Sequence, residues 1–349
     1  MHCRTEINML FFSSDYQQAC HPEILRRISE TNFEGNPGYG TDDHCKTAKE
    51  KIKEACETPD AEIFFIGGGT QTNMLVLDTI LAPYEGVISA DTGHIQGHEA
   101  GAVEFTGHKI LTIPGYDGKI KAADLRARLR AYADDDNREH TTPAGALYIS
   151  FPTEYGTIYS KSELTEIYGI CREYYIPLFI DGARLGYGLM SPECDLTLPE
   201  LAHLCDVFYV GGTKMGALMG EAVVFTHANM PKHFFTSVKQ HGALLAKGWL
   251  LGIQFETLFT DDLYFKLGKN AIDCAMKLKK LLIEKGYKLH LDSPTNQQFA
   301  LVEDSLLPKL AKHVNYGFWE KPDDTHTVIR FATGWATKPE EIDELAKYL

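Results

Sequence analysis

The chain predicts an α/β fold: a mostly parallel sheet covered by helices on both faces, followed by a small α+β lobe. Three observations carry this expectation. Short β-rich runs alternate with helical patterns from Glu62 to Thr226, the order that crossover units require. Those runs are strongly apolar, as strands of a sheet buried on both sides must be. Past about Pro231 the alternation gives way to a long Leu- and Phe-rich helical stretch. At 349 residues the chain exceeds one average domain. We therefore expect an N-terminal arm and large domain over 1–245 and a small domain over 246–349.

The elements follow in order. "EIFFIG" reads as the first strand and leads through three glycines into the helical "TQTNMLVLDTIL"; "VISA" and "HKILTIP" are strands, and "AADLRARLRAYADDD" is a helix. "DDDN", Asp134 to Asn137, reads as an exposed loop. "GALYISF" is a strand preceding the amphipathic "KSELTEIYGICREYY"; then come the strand "PLFID", the helix "LTLPELAHLC" and the strands "DVFYVGG" and "EAVVFT". In the small lobe "QQFALVE" and "HTVIRFAT" are strands, with helices through "SLLPKLAKHV" and "KPEEIDELAKYL". In sheets of this kind ligands bind beyond the carboxyl ends of the strands.

Composition narrows the function. A 44% hydrophobic, 23% charged chain with no long uncharged apolar run is ordinary for a soluble protein and offers no membrane span. The net charge of -14 argues against nucleic acid as the main partner. The cysteines, Cys3, Cys20, Cys45, Cys56, Cys171, Cys194, Cys205 and Cys274, form no C-x-x-C pair and are expected to be reduced. With no leader pattern at the N-terminus, the cytoplasm is the expected compartment.

Four stretches could carry chemistry. In "VFYVGGTKMGALMGE", Lys214 follows a strand and two glycines; a lysine at the mouth of a buried sheet can lose its proton and act as an amine nucleophile toward an aldehyde, although most lysines are simply solvated. In "PLFIDGARLGYG", four apolar residues deliver Asp181 to a strand end. Alone it reads as a cap or a partner of Arg184; facing the same cleft as Lys214, it suits a protonated pyridine nitrogen. "FFIGGGTQTNM" places three glycines before a helix, a turn suited to a phosphate or to tight packing alone. Its spacing matches neither a dinucleotide fingerprint nor a nucleotide P-loop. In "SADTGHIQGHEAGA", His94 and His98 lie four apart, but Glu99 follows the second, so the zinc pattern is absent and no metal is expected. His94 could stack on an aromatic cofactor; His98 reads as a solvent-facing or hydrogen-bonded residue.

Taken together and in this order, these motifs resemble the pyridoxal-phosphate enzymes of fold type I, and within them the threonine aldolase and β-eliminating lyase family. The resemblance runs from "FFSSDYQQACHPEIL" to "VIRFATGWAT" and implies a seven-stranded large-domain sheet. It implies that Lys214 forms an internal aldimine with pyridoxal 5'-phosphate, that Asp181 faces the pyridine nitrogen, and that His94 stacks on the ring. Gly69 and Thr70 would hold the phosphate, and Gly68, Thr213 and Arg184 would also contact the cofactor. Ser14, Arg184 and Arg330 would bind the substrate carboxylate, which an arginine fork suits. One departure stands out: family aldolases commonly carry a histidine in the strand-end loop that here reads "SFPTEYGTIYS", and this chain has Glu154 and Tyr155 instead. Glu154 is then the candidate base, because a carboxyl in a cofactor cleft can have its pKa raised into a working range.

The expected reaction is cleavage of a β-hydroxy-α-amino acid, threonine or a relative, to glycine and an aldehyde; β-elimination or transamination of another amino acid is the alternative. A homodimer or homotetramer with shared sites is implied as well. The apolar "SVKQHGALLAKGWLLGIQFETLF", with Lys239 and His241, looks too large for one small lobe to cover, unless it is a helix linking the lobes within one chain.

Overall fold

The computed structural model describes residues 9–349, so Cys3 lies outside the described residues. Seven strands form the central sheet, in the spatial order Glu62–Ile66, Glu221–Phe225, Val207–Gly211, Leu178–Asp181, Ala144–Ser150, Gly86–Ala90 and Lys109–Ile113. The last five run parallel. Glu221–Phe225 is antiparallel to both its neighbours, because the short loop after Gly211 can only form a hairpin.

Successive residues along each strand enter opposite layers, as the two-residue period requires. Leu147, Ile180, Phe208 and Val224 pack on one face; Tyr148, Phe179, Tyr209 and Val223 pack on the other. The uniform apolarity seen in the sequence is the signature of this double burial. The chain adds Lys109–Ile113 on one side of Gly86–Ala90 and then returns to place Ala144–Ser150 on the other. That reversal opens a crevice beyond the strand ends, and the candidate residues gather there.

A second, four-stranded antiparallel sheet has the order Gly317–Glu320, His326–Ala332, Gln297–Glu303 and Lys288–Leu291. Helices Leu263–Glu284 and Pro339–Leu345 cover it through Leu278, Leu282, Phe331 and Ile342. The arm strand Leu10–Phe11 pairs in parallel with Val314–Asn315 and so carries residues 12 to 16 toward the crevice.

Two expectations need correction. "SLLPKLAKHV" is helical only over Leu307–Leu310, because the chain must be extended by Val314 to pair with the arm, where Leu10 N–H donates to the His313 carbonyl at 2.9 Å. The apolar stretch after Ser237 is not exposed for want of cover. It breaks into helices Phe234–Gln240 and Trp249–Leu258, and the second lies against helix Asp43–Ala55 of the same chain so closely that a Cβ on Gly252 would stand 2.5 Å from the Cys45 nitrogen. No helix among the described residues is long and apolar enough to cross a membrane, and the seven described cysteines are free.

Candidate active site

Backbone packing brings the two key strand ends together. A Cβ on Gly182 would stand 1.8 Å from the Tyr209 carbonyl oxygen, and one on Gly211 would stand 2.5 Å from that of Ala183. Only glycine lets these turns interlock. Gly212 is equally tight, 2.5 Å from the Gly220 oxygen. The glycines before Lys214 thus serve contact of chain with chain rather than approach to a ligand, and this contact carries Asp181 and Lys214 into one cleft.

Asp181 is buried and accepts four hydrogen bonds, from Tyr148 Oη at 2.6 Å, Asn73 Nδ2 at 2.9 Å, Tyr209 Oη at 2.5 Å and Ala183 N–H at 3.0 Å. Burial alone would raise its pKa, but His94 and these donors outweigh it and hold the carboxyl below its ordinary value. A buried carboxylate is tolerable only with such partners.

Lys214 is half-buried. Burial, and then the charge of Arg184, lower its pKa, while Asp15, Asp181 and Glu221 oppose them. Its loop is pinned on both flanks: Tyr187 Oη donates to the Lys214 carbonyl, and Glu221 accepts from Gly212 N–H at 2.9 Å and Thr213 Oγ1 at 2.8 Å.

Burial pushes Glu221 from its ordinary 4.5 up to about 7 against those hydrogen bonds and the Lys214 charge. Between these two values the folded chain holds a proton that the unfolded chain has lost, so stability falls as pH rises through the window. Glu221→Gln is therefore expected to match wild type near pH 4 and to exceed it at pH 8 by on the order of 1–3 kcal/mol. Urea unfolding at the two pH values checks this, and an equal difference at both would refute it.

The glycine turn opens the helix Gly69–Ile80, capped by Gly68 without a side-chain bond. Its first N–H groups have no helical partner and face the cleft that Gly68, Gly69, Thr70 and Thr213 line. His94 begins a short helix after the strand Gly86–Ala90, and its Nδ1 lies 2.7 Å from Glu99 Oε1. Burial lowers the His94 pKa, but Glu99 and Asp181 more than reverse this, and the net shift is upward. His94, Glu99 and Asp181 bring possible ligand atoms within 4.8 Å of one another; Glu99 Oε1 and both Asp181 oxygens already accept hydrogen bonds, whereas the buried Glu99 Oε2 has no partner among the described residues.

Glu154 is buried at the cleft wall, where Oε1 accepts from Ser150 Oγ at 2.6 Å and from His94 N–H at 3.1 Å. Burial raises its pKa, the Ser150 bond opposing. Burial also lowers the pKa of His98, which lines the same cleft.

Arg184 and Arg330 meet on the opposite wall. Arg330 donates from Nη1 to Gln297 Oε1 at 3.0 Å and from Nη2 to the Ser13 carbonyl at 2.8 Å, and its buried Nε has no partner. Arg184 spends its fork on Asp15. Ser14, half-buried between Ser13 and Asp15, makes no side-chain hydrogen bond among the described residues. Above the arginines the cleft widens to about 640 Å³ between Tyr155, Phe318 and Trp319.

Sequence reasoning did not single out Asn73, Tyr148, Tyr209, Glu99, Asp15 or Glu221. Glu221 and Glu99 were visible as acids inside flagged motifs. The others carry no local signal, because their partners lie far away along the chain.

The β-eliminating lyase family model matches residues 12–294. A low specificity L-threonine aldolase of a Pseudomonas species is 29% identical over 347 residues, covering 98% of this chain and 97% of that protein. The solved structure of Leishmania major threonine aldolase is 41% identical, with a TM-score of 0.93, covering 97% of this chain and 98% of that one. An aromatic aminotransferase from Pyrococcus horikoshii is 15% identical with a TM-score of 0.71, covering 97% of this chain and 94% of that one, and shares the fold.

Proposed function

The chain belongs to the β-eliminating lyase family, and on that premise we propose that it is a pyridoxal-phosphate-dependent carbon–carbon lyase. It splits a β-hydroxy-α-amino acid of the threonine or allo-threonine type into glycine and an aldehyde. One observation carries the reading: a half-buried lysine, Lys214, shares a cleft with Asp181, an aspartate kept ionised by four donors. The names of the similar aldolases point the same way.

The residues present fit the cofactor. Free N–H groups at Gly69 and Thr70, with Gly68 and Thr213 beside them, suit a phosphate; Asp181 suits a protonated ring nitrogen, and His94, its ring fixed by Glu99, suits a flat aromatic face. When bound, pyridoxal 5'-phosphate supplies the electron sink that lets an amino acid break its Cα–Cβ bond. Asp181, held ionised by its four donors, would keep the ring nitrogen protonated. Lys214, its pKa lowered by burial, would hold the cofactor through its neutral amine, and the same amine, when free, can act as a base within the cleft. Arg184 and Arg330, which both line the cleft, hold the substrate carboxylate, with Ser14 on the adjoining arm.

Glu154 takes the β-hydroxyl proton. A raised carboxyl must ionise to accept it, so kcat should fall as pH drops through the Glu154 pKa, above the ordinary 4.5. Glu154→Gln is expected to lose about 10²- to 10⁴-fold in kcat and to flatten that acid limb; a variant that keeps both rate and limb would rule Glu154 out.

The same reading divides the chain near residue 245 into the large and small domains, and places it in the cytoplasm, where the free cysteines would stay reduced. A second copy, in a dimer or tetramer, would complete the site. Among the residues lining the cleft at the glycine turn, the Lys and Arg side chains are those of Arg184 and Lys214, and the half-exposed Met219 lines it as well. Exposed Lys239, 4.8 Å from the Tyr39 ring centroid, is the candidate donor to a neighbouring site.

The deciding experiment is product analysis with L-threonine and L-allo-threonine. Equimolar glycine and acetaldehyde support the reading; 2-oxobutanoate and ammonia would make the protein an eliminating enzyme instead.

A further inference from the structure

Arg184 is aimed by a residue from the far end of the chain. Its Nε donates to Asp15 Oδ2 at 2.7 Å and its Nη2 to Oδ1 at 3.1 Å. Two parallel bonds to one carboxylate fix the plane of a guanidinium. Both partners are sequestered, with the Asp15 side chain fully buried and that of Arg184 11% exposed. A third donor, Asn296 Nδ2, reaches Asp15 Oδ2 at 2.9 Å while also bonding the Thr333 carbonyl at 2.8 Å. Nη1 is the one Arg184 nitrogen without a protein partner among the described residues, and Arg184 lines the substrate side of the cleft.

Asp15 also belongs to an arm that is fixed on both sides. Phe12 N–H bonds the Asn315 carbonyl at 2.8 Å, Ala332 N–H bonds the Phe12 carbonyl at 2.7 Å, and Arg330 bonds the Ser13 carbonyl. One short segment therefore sets the position of both arginines.

We propose that Asp15 is a positioning residue that orients Arg184 so that Nη1 is presented to the substrate, and thereby sets selectivity for ligands with a free carboxylate. This rests on the reading of the cleft as an amino-acid site. Two effects compete when the Asp15 charge is removed. The cleft becomes more positive, which favours a carboxylate; the guanidinium exchanges a charged bidentate partner for an amide that can accept from one of its nitrogens only, and Glu154 is the next carboxylate acting on it. The second effect wins, because a long side chain no longer held by a charged bidentate partner turns toward the remaining anion, and Glu154 lines the same cleft.

The test uses cofactor-loaded protein titrated with glycine and with glycinamide, read by the change in cofactor absorbance. In Asp15→Asn the glycine Kd should rise about tenfold or more, one charge-assisted contact's worth, while glycinamide affinity stays as in wild type. A merely structural defect weakens both ligands alike. That outcome, unchanged glycine affinity, or the tighter glycine binding that charge removal alone would give, overturns the proposal. Should Asp15→Asn not fold, Asn296→Ala leaves the ion pair but removes its third donor, and should raise the glycine Kd alone by about two- to fivefold; equal loss for both ligands overturns the proposal again. A wild-type protein whose spectrum ignores glycine would overturn the amino-acid reading itself, which is a separate result from a responsive wild type and an indistinguishable variant.

Discussion

Lys214→Ala is expected to lose turnover by on the order of 10⁴-fold or more, the scale seen when a residue that forms a covalent bond in the cycle is removed. The loss should not come from unfolding. Lys214 is half-buried, burial and Arg184 disfavour its charge, and its loop is held through backbone groups by Tyr187 and Glu221. Removing the side chain leaves those bonds intact and relieves a partly buried charge. Cofactor should remain bound, held by the Gly68–Thr70 turn and Asp181, but should wash out on dialysis, and its spectrum should shift. Lys214→Arg separates charge from chemistry: it keeps the cation but cannot supply a neutral amine, so it should be as inactive as the alanine variant. Measurable turnover by the arginine variant would mean that the charge of Lys214, and not its amine, is what the cleft uses.

Asp181→Asn is expected to lose about 10²- to 10³-fold in kcat, comparable to removing a dedicated electrostatic group from an active site. It should also lose about 1–3 kcal/mol of stability. Each Asp181 oxygen accepts two donors, Oδ1 from Tyr209 and Ala183 and Oδ2 from Tyr148 and Asn73. An amide can satisfy only one of those pairs and turns its own N–H groups toward the other, leaving two buried donors unpaired. His94, whose pKa Asp181 helps to raise, should titrate lower in the variant. Kinetics, urea unfolding and the His94 titration by NMR separate the three effects. Full activity in a destabilised protein would mean that Asp181 organises the core without acting on the cofactor.

Much of the fold was legible because double burial leaves a local trace. Strands such as Val207–Gly211 are apolar on both faces, and helices such as Lys161–Glu173 announce themselves with a capping box at Ser160 and Glu163. The site's outline was legible for a related reason: glycine marks the places where chains touch, and Gly182 and Gly211 flank the residues that matter. What escaped is what depends on contacts distant in sequence. Asp15 lies 169 residues from Arg184, and nothing in "LFFSSDY" tells that its aspartate is buried rather than solvated. The cage around Asp181 draws on Asn73, Tyr148 and Tyr209, each of which reads locally as an ordinary helix or strand residue. Glu221 reads as the polar end of a strand until its burial at the base of the Lys214 loop is seen. The helices Pro22–Glu30 and Asp43–Ala55 lie before the strand–helix alternation that starts at Glu62, so that pattern does not reveal them or the cover they give to Trp249–Leu258.

The claim on which the rest depends is that Lys214 is the residue bonded to the cofactor. The direct measurement is to reduce cofactor-loaded protein with borohydride, digest it and map the modified lysine by mass spectrometry. The account predicts one modified site, Lys214, in stoichiometric yield. Modification at another lysine, for instance Lys49, whose pKa burial also lowers, or a protein that takes up no cofactor at all, would contradict it.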